Sequence, residues 1–260
     1  MEPQQKPRAE YETLKNVVVH PKTEELPSQA REAINTLRGN IQLSGYNVKA
    51  VAVTSPMAHE GKSSLAFRLA KSLAALNKKT IYVDCDIRNS VVKLRYHIEG
   101  KTRGLSEYLC GKLPLSEVIY HTDDPWMDII FTGASAPNPS ELLSGVLFSQ
   151  LIEKLKRYYD YVVVDTPPVN LVIDGAVVAK QCDGAVMVVE SGVTERSQAI
   201  RAKRQLEYAG VKLLGVVLNK VGTKKSGYGY GYGYGYGHRY DYGYGNEDKN
   251  SSKNKRRKDS

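Results

Sequence analysis

The chain has 260 residues, of which 41% are hydrophobic, 25% charged and 8% aromatic. That composition suits one globular α/β domain with its own core and excludes a fibrous or wholly disordered protein. The net charge of +9 is spread along the chain and is too mild to indicate a nucleic-acid-binding surface. Three irregularly spaced cysteines exclude a disulfide framework, and no run approaches the roughly 20 apolar residues of a membrane helix, so we expect a cytoplasmic protein.

Residues 1–27 are polar and contain four prolines, which predicts an extended arm with one short strand at residues 16–20. Ser28 has the chemistry of a helix cap, and the apolar residues that follow it recur at helical spacing. This pattern predicts an amphipathic helix up to about Leu43. Its apolar residues are Ala30, Ala33, Ile34, Leu37 and Ile41.

From Val48 onward, short β-rich apolar runs alternate with longer helical segments. This alternation predicts a mostly parallel sheet with helices on both faces. One helix is predicted over residues 63–76, and a single continuous helix over residues 140–158, whose apolar stripe includes Val146, Leu147 and Leu151. The predicted strands are VKAVAVT, TIYVD, MDIIF, YVVVD, GAVMVVE and KLLGVVLN.

After Gly222 the globular pattern ends, and a low-complexity tail with a basic end begins. Glycine at every second position supplies no packing and loses much conformational entropy on folding, so we expect residues 226–260 to be disordered. The tyrosines of this tail are Tyr228, Tyr230, Tyr232, Tyr234, Tyr236, Tyr240, Tyr242 and Tyr244.

A phosphate-binding loop is predicted where the strand VKAVAVT leads into SPMAHEGKSS and then into a helix. Backbone amides and the helix N-terminus would hold phosphates, Lys62 would reach the β and γ phosphates, and the Ser63 hydroxyl is placed to bind Mg²⁺. Pro56 occupies the first glycine position of the pattern GxxxxGK[ST]. The match is therefore partial, and an ordinary strand-to-helix turn is the alternative.

Acidic residues follow two other predicted strands. IYVDCDIR places Asp84 and Asp86 on the same side of an extended chain, and YVVVDTPP delivers Asp165 to the same sheet edge. The carboxyl ends of parallel strands line the ligand crevice, where carboxylates can bind Mg²⁺ or accept a proton. Each motif alone also fits a solvated loop with incidental acids. The three motifs in this order favour a single site.

SPMAHEGKSS, IYVDCDIR and VVVDTPP, in this order and followed by a tyrosine cluster, resemble the bacterial tyrosine kinases (BY-kinases) encoded with Gram-positive capsule and exopolysaccharide genes. The resemblance covers residues 28–245, and PNPSELL and LNK match as well. It implies a P-loop kinase domain at residues 28–225, related to the MinD and ParA ATPases. In relatives, the asparagine that matches Asn219 lies near the adenine.

The resemblance implies that the chain binds ATP and Mg²⁺ and transfers phosphate to its tail tyrosines. Asp84 is the expected acceptor of the phenol proton, and Lys62, Asp86 and Asp165 complete the catalytic group. The expected Mg²⁺ ligands are Ser63, Asp86 and Asp165, directly or through water, although spacing does not assign a role to each aspartate. The expected nucleotide-binding residues are His59, Glu60, Gly61, Lys62, Ser63, Ser64 and Asn219.

Two positions depart from the family pattern. His59 stands where the loop of the family usually carries a glycine. The helix EAINTLRGNI resembles the oligomerisation motif ExxRxxR but has Asn35 at the middle arginine, which leaves Glu32 and Arg38 as the expected oligomerisation residues. A plain amphipathic packing helix is the alternative for this segment.

The resemblance also implies partners. One is a transmembrane adaptor of the polysaccharide co-polymerase type, which would recruit the chain to the inner face of the cell membrane. The others are further copies of the chain, a phosphotyrosine phosphatase and other protein substrates. No nucleic acid is expected as a partner. The implied function is tyrosine autophosphorylation, in trans, that regulates capsular or exopolysaccharide synthesis and export.

Two other classes of function were considered. One is a MinD- or ParA-like positioning ATPase. The mechanism of that class has no role for the tyrosine cluster, and its phosphate-binding loop has near its start a signature lysine that this loop lacks. The other is a non-enzymatic scaffold whose aromatic tail self-associates. The intact Lys62, Ser63 and three aspartates argue against that scaffold.

Overall fold

The structure, a computed structural model, describes residues 18–23, 25–98 and 102–222. Its strands are β1 (Val18–Val19), β2 (Ala50–Thr54), β3 (Thr80–Asp84), β4 (Ile119–Thr122), β5 (Met127–Ile130), β6 (Tyr161–Asp165), β7 (Gly184–Glu190) and β8 (Leu213–Asn219). Its helices are α1 (Ser28–Leu43), α2 (Lys62–Ala74), α3 (Val92–Arg95), α4 (Leu105–Leu109), α5 (Pro139–Ser144), α6 (Val146–Tyr158), α7 (Asp174–Ala179) and α8 (Arg196–Tyr208).

The strands form one eight-stranded sheet in the order β1-β4-β5-β3-β6-β2-β7-β8. Neighbouring strands run parallel except β4 and β5, which are antiparallel. The predicted mostly parallel sheet is confirmed, and β1 confirms the short strand predicted within residues 16–20. Strand β4 was not predicted, because its sequence, IYHT, is short and half polar. In the part of the chain that the structure describes, no helix has the length and apolar character needed to span a membrane.

The three central strands, β3, β6 and β2, bring the predicted motifs together. Asp84 at the end of β3 lies opposite Asp165 at the end of β6, and Val53 of β2 lies opposite the same Asp165. Since the three strands are parallel, their carboxyl ends meet at one edge of the sheet. The loop after β2 therefore lies beside the two aspartates.

Helices cover both faces of this sheet, as the unbroken apolar strands predict. Val51 and Val53 of β2 pack in the same cluster as Phe67 of α2, whereas Ala50 packs in another cluster with Phe148 of α6. Alternate residues of a strand point to opposite faces, so one short strand contributes to two cores. Helix α1 packs against α2 on the first face.

The start of α1 corrects one prediction. Pro27, and not the predicted Ser28, stands at the cap position, and no side chain caps the helix there. The buried residues of α1 are Ile34 and Ile41, which belong to the predicted apolar stripe.

Helices α5 and α6 replace the single helix predicted over residues 140–158. The backbone of Gly145 is extended, with φ −71° and ψ 160°, and separates the two helices. Val146 and Leu147 are consequently 70% and 42% exposed, although the predicted stripe included them. Leu151 is fully buried, as predicted. The break interrupts the stripe, because Leu143 before it and Leu151 after it are buried, whereas the first two residues of α6 face solvent.

We expect Leu151→Ala to lower the free energy of unfolding by about 3 kcal/mol, because it removes a buried side chain and leaves a cavity. Val146→Ala should change it by less than about 0.5 kcal/mol, since Val146 faces solvent. Urea unfolding followed by circular dichroism measures both. Equal losses in the two variants would indicate that the helix continues through Gly145.

Candidate active site

The loop between β2 and α2 has the backbone shape of a phosphate-binding loop. Gly61 has φ +93°, and a Cβ added there would lie 2.2 Å from the side-chain amide of Asn219. His59 is also in the left-handed region, with φ +67°. This conformation favours glycine, which explains why the bacterial tyrosine kinases that the sequence resembles usually carry a glycine at the position of His59. The carbonyl of His59 accepts a hydrogen bond of 2.7 Å from Nζ of Lys220, which also pairs with Glu190 at 2.7 Å.

Glu60 fastens this loop to distant parts of the chain. Its buried carboxylate accepts hydrogen bonds from the Met57 amide at 2.8 Å and from the Thr194 hydroxyl. Its backbone carbonyl accepts a bond of 2.9 Å from the Asn219 side chain. Burial raises the pKa of Glu60, and these hydrogen bonds only partly oppose that shift. Glu60 and Asn219 thus hold the shape of the loop, whatever further contacts they make with a nucleotide.

Lys62 and Ser63 begin α2, directly after the loop, and Ser64 follows in the same turn. Nζ of Lys62 lies 2.9 Å from Oδ2 of Asp86, 3.3 Å from Oγ of Ser63 and 3.9 Å from Oδ1 of Asp165. Burial by itself lowers the pKa of Lys62, but the neighbouring carboxylates of Asp165 and Asp86 outweigh it and raise the pKa above its ordinary value. Lys62 therefore stays protonated.

The three predicted aspartates lie together and are buried. Asp84 accepts hydrogen bonds from the Asp86 amide at 3.1 Å and from the Ser90 hydroxyl. Oδ2 of Asp165 accepts a bond of 2.9 Å from the Tyr82 hydroxyl. Burial raises the pKa of Asp84 and of Asp165, and repulsion between the carboxylates adds to the effect. The cluster concentrates negative charge where water is scarce.

Oδ1 of Asp165 is buried and accepts no hydrogen bond from any residue that the structure describes. This oxygen, the Asp86 carboxylate and the Ser63 hydroxyl are oxygen donors of the kind that Mg²⁺ prefers. No group of three or more histidine, cysteine or acidic side chains among residues 18–23, 25–98 and 102–222 is arranged to hold a metal by itself. Mg²⁺ commonly binds through one or two carboxylates and substrate phosphates, so the residues present fit that ion.

Sequence reasoning missed several residues of this site. Tyr82 precedes Asp84 by two positions in the same strand, a spacing that places both on one face and could have identified it. Ser90 and Thr194 reach the site from loops, and no local signal marks them. Asp174, at the start of α7, accepts hydrogen bonds from Arg88 at 2.7 Å and from Ser140 of the PNPSELL segment.

The predicted oligomerisation residues lie apart from this cluster, on α1. Glu32 is exposed. Nη1 of Arg38 donates hydrogen bonds to the backbone carbonyl and the hydroxyl of Ser72 on α2, at 2.9 and 2.7 Å. Asn35 accepts a bond of 3.3 Å from the same hydroxyl. Two of the three motif positions thus join α1 to α2 within the chain. The predicted phosphorylation sites, Tyr228 to Tyr244, lie outside the described residues.

Comparison with known proteins identifies the family. The profile of a family described as an AAA domain matches residues 48–192. The tyrosine-protein kinase CpsD of Streptococcus agalactiae is 40% identical over 200 residues, which cover 77% of this chain and 87% of that protein. The solved kinase domain of Escherichia coli tyrosine kinase ETK has a TM-score of 0.72 and 32% identity, covering 81% of this chain and 87% of that chain. The chain belongs to the bacterial tyrosine kinases.

These comparisons confirm the predicted P-loop fold and the predicted class of enzyme, a tyrosine-protein kinase. The septum site-determining protein MinD of Pyrococcus horikoshii, solved with Mg-ADP, matches with a TM-score of 0.59. It is 21% identical, and the match covers 68% of this chain and 72% of that chain. That likeness concerns the fold alone.

In this bacterial tyrosine kinase, we expect Thr194→Val to lower the free energy of unfolding by about 1–3 kcal/mol, because Glu60 would lose a partner in a buried setting. The variant should also weaken binding of a fluorescent ATP analogue. Thr194→Ser keeps the hydroxyl and should behave like the parent chain. Equal stability and affinity of the valine and serine variants would show that this hydrogen bond does not hold the loop.

Proposed function

We propose that this kinase transfers the γ-phosphoryl group of ATP to the tyrosines of its own C-terminal tail. The observation that supports the proposal best is the convergence of Lys62, Asp84, Asp86 and Asp165 at one sheet edge beside a phosphate-binding loop. Phosphoryl transfer needs mainly positioning and charge compensation, and this edge offers both.

The loop and the first turn of α2 would bind the phosphates. Backbone amides of residues 59–64 and the positive end of α2 attract the anion, and Lys62 adds a full charge. Asn219, which donates a hydrogen bond to the Glu60 carbonyl, would support the loop on the nucleotide side. The absence of a side chain at Gly61 leaves room for the Asn219 amide beside the loop.

Ser63, Asp86 and Asp165 would hold Mg²⁺, directly or through water. When bound, the ion neutralises the negative charge that develops on the phosphoryl oxygens. Oδ1 of Asp165 is the best-prepared ligand because it is buried and no described residue donates a hydrogen bond to it. The Tyr82 hydroxyl fixes the orientation of that carboxylate through its other oxygen.

Asp84 would accept the proton of the attacking tyrosine. Its carboxylate is held in place by the Asp86 amide and the Ser90 hydroxyl, and burial raises its pKa. A base that is oriented and more basic than a solvated aspartate suits this role, because the phenol proton must move as the oxygen attacks phosphorus.

Residues 28–225 would form the kinase domain, residues 1–27 an N-terminal arm and residues 226–260 the tail with the tyrosine cluster. The tyrosines of this tail alternate with glycines, which do not obstruct entry to a crevice, and the expected reach of a glycine-rich chain of about 20 residues is roughly 25 Å root-mean-square. We therefore place the transfer in trans, with the tail of one subunit in the site of another. The exposed Glu32 is available for contacts between subunits, whereas contacts through Arg38 would compete with Ser72.

The biological setting follows from the resemblance to kinases encoded with capsule genes. A transmembrane adaptor of the polysaccharide co-polymerase type would recruit the chain from the cytoplasm to the membrane and activate it. Phosphorylation would regulate capsular or exopolysaccharide synthesis and export, with a phosphotyrosine phosphatase reversing it. Other protein substrates are expected, and nucleic acid is not.

Incubation with ATP and Mg²⁺, with and without the adaptor's cytoplasmic peptide, should add phosphate to residues 228–244. Intact mass and phosphopeptide mapping measure the product. Asp84→Asn should slow the reaction by roughly 10²- to 10⁴-fold, the usual contribution of a general base.

The controls are Lys62→Ala, which should acquire no phosphate, and a chain whose eight tail tyrosines are phenylalanine, which should still hydrolyse ATP. ATP hydrolysis without phosphate on protein, even with the adaptor peptide, would favour a positioning ATPase. No turnover of ATP at all would favour a scaffold.

Transfer in trans is tested by mixing two full-length variants. Lys62→Ala supplies intact tails without activity, and the chain with phenylalanine at the tail positions supplies activity without acceptors. Phosphate on the Lys62→Ala tails is the expected result, since the active partner would receive them in its own site. Its absence, while the parent chain autophosphorylates, would place the transfer within one subunit.

A further inference from the structure

We propose that Tyr46, in the turn between α1 and β2, is a further phosphate acceptor, and that the active site of another copy of the chain phosphorylates it. The inference rests on the proposed function, because it uses the same transfer of phosphate to tyrosine. It goes beyond that function because it places an acceptor within the folded domain, outside the tail.

The sequence around Tyr46 matches the start of the tail. Ser44, Gly45 and Tyr46 form the tripeptide SGY, which recurs at residues 226–228. Of the 18 tyrosines in the sequence, Tyr46 is the only one outside residues 228–244 that follows a glycine. Because glycine has no side chain, it does not obstruct entry of the neighbouring phenol ring into a crevice. Tyr46 thus shares the local feature that suits the tail tyrosines as substrates.

The structure presents Tyr46 at the tip of a turn. Helix α1 ends at Leu43. The Val48 amide donates a hydrogen bond of 3.1 Å to the Gly45 carbonyl, which closes a β-turn. Tyr46 is the second residue of this turn and is 92% exposed. Gly45 has φ +137°, a conformation that residues with a side chain rarely adopt, so the turn itself favours a glycine just before the tyrosine.

Tyr46 lies at the sheet edge opposite to the active site. It precedes β2, whereas the phosphate-binding loop follows that strand. At about 3.3 Å per residue, the length of β2 separates the two edges by roughly 17 Å. Both sides of the turn are fixed, because Arg38 of α1 binds Ser72 of α2 and β2 lies between two other strands of the sheet. Tyr46 therefore cannot reach the active site of its own subunit, and a second subunit must supply the site.

Tyr208 provides a matched comparison. It is 89% exposed, nearly as much as Tyr46, and it also precedes a strand at that edge of the sheet. However, it is the last residue of α8 and follows Glu207, so its backbone is helical and a charged side chain stands next to it. Exposure is thus shared by the two tyrosines, whereas the turn and the preceding glycine belong to Tyr46. The buried tyrosines of the described domain are not accessible to another subunit; they are Tyr82, Tyr96, Tyr120 and Tyr159.

The reaction is the one proposed for the tail. The Tyr46 oxygen forms a bond to the γ-phosphorus of ATP, the bond from that phosphorus to the bridging oxygen breaks, and ADP leaves. The phenol proton passes to Asp84 of the acting subunit. The step needs no reactant besides ATP, which the kinase activity already uses.

The test uses the full-length chain with phenylalanine at the eight tail positions, so that the tail cannot accept phosphate. This chain and the parent chain are incubated with ATP, Mg²⁺ and the adaptor's cytoplasmic peptide, and phosphopeptide mapping locates the product. We expect phosphate on Tyr46. Adding Tyr46→Phe should remove nearly all of the incorporated phosphate, whereas Tyr208→Phe, the matched control, should leave it unchanged. Both substitutions should preserve the melting temperature, because both side chains face solvent.

A second experiment identifies the acting subunit. Isotope-labelled, full-length Lys62→Ala serves as the acceptor, and an unlabelled chain that carries Tyr46→Phe and the tail phenylalanines supplies the activity. Phosphate on Tyr46 of the labelled chain is the expected result. If Lys62→Ala does not fold, labelled Asp84→Asn serves as the acceptor. An unmodified Tyr46 in the labelled chain, while its tail is phosphorylated, would overturn the inference.

The proposed function is judged separately, by phosphate on the tail of the parent chain. A parent chain that phosphorylates its tail, together with no phosphate on Tyr46 in the tail-substituted chain, would refute only the further acceptor. Equal loss of phosphate in Tyr46→Phe and Tyr208→Phe would refute it as well. Phosphate on Tyr46 but none on the tail would refute only the proposed tail phosphorylation, and phosphate on neither would refute both.

Discussion

Three carboxylates lie buried side by side at the carboxyl edge of the sheet, where water does not screen the repulsion between them. The register of β3 and β6 places Asp84 opposite Asp165, and Asp86 follows two residues later. Such a cluster persists only where cations or hydrogen-bond donors compensate it. Among the residues that the structure describes, Lys62 supplies an ammonium, and Tyr82 and Ser90 supply hydroxyls. The loop after β2 leads directly into Lys62 at the start of α2 and so places this ammonium beside the carboxylates.

The phosphate-binding loop depends on residues far away in the sequence. Thr194 is 134 positions from Glu60, and Asn219 is 159 positions from it, yet both bind that residue. Because these contacts come from the loop after β7 and from the end of β8, the shape of the phosphate-binding loop depends on the assembled sheet. A loop fixed in this way needs little rearrangement to receive phosphates, which is the advantage of preorganisation in catalysis.

The sequence predicted the features that follow from local chemistry and from strand order. Strand β3 and the helix α2 carry short patterns that fix their type, and the parallel sheet then brings Asp84 and Asp165 together. Contacts between distant segments could not be predicted, because Thr194 sits in an ordinary loop and nothing near it indicates a buried carboxylate partner. The break at Gly145 was missed for a related reason. The apolar spacing on its two sides fits one helix, and Leu143 and Leu151 are both buried, so the exposure of Val146 and Leu147 is visible only in the structure.

His59 shows how the site tolerates a departure from the family pattern. The loop needs a left-handed backbone at this position, and a residue with a side chain pays roughly 1–2 kcal/mol for that conformation. Lys220 holds the His59 carbonyl and is itself held by Glu190, so contacts formed on folding fix the conformation that glycine would reach freely. The substitution changes the side chain at the mouth of the loop while the path of the backbone is kept. The loop therefore retains the shape that phosphate binding requires, although its sequence matches the pattern only in part.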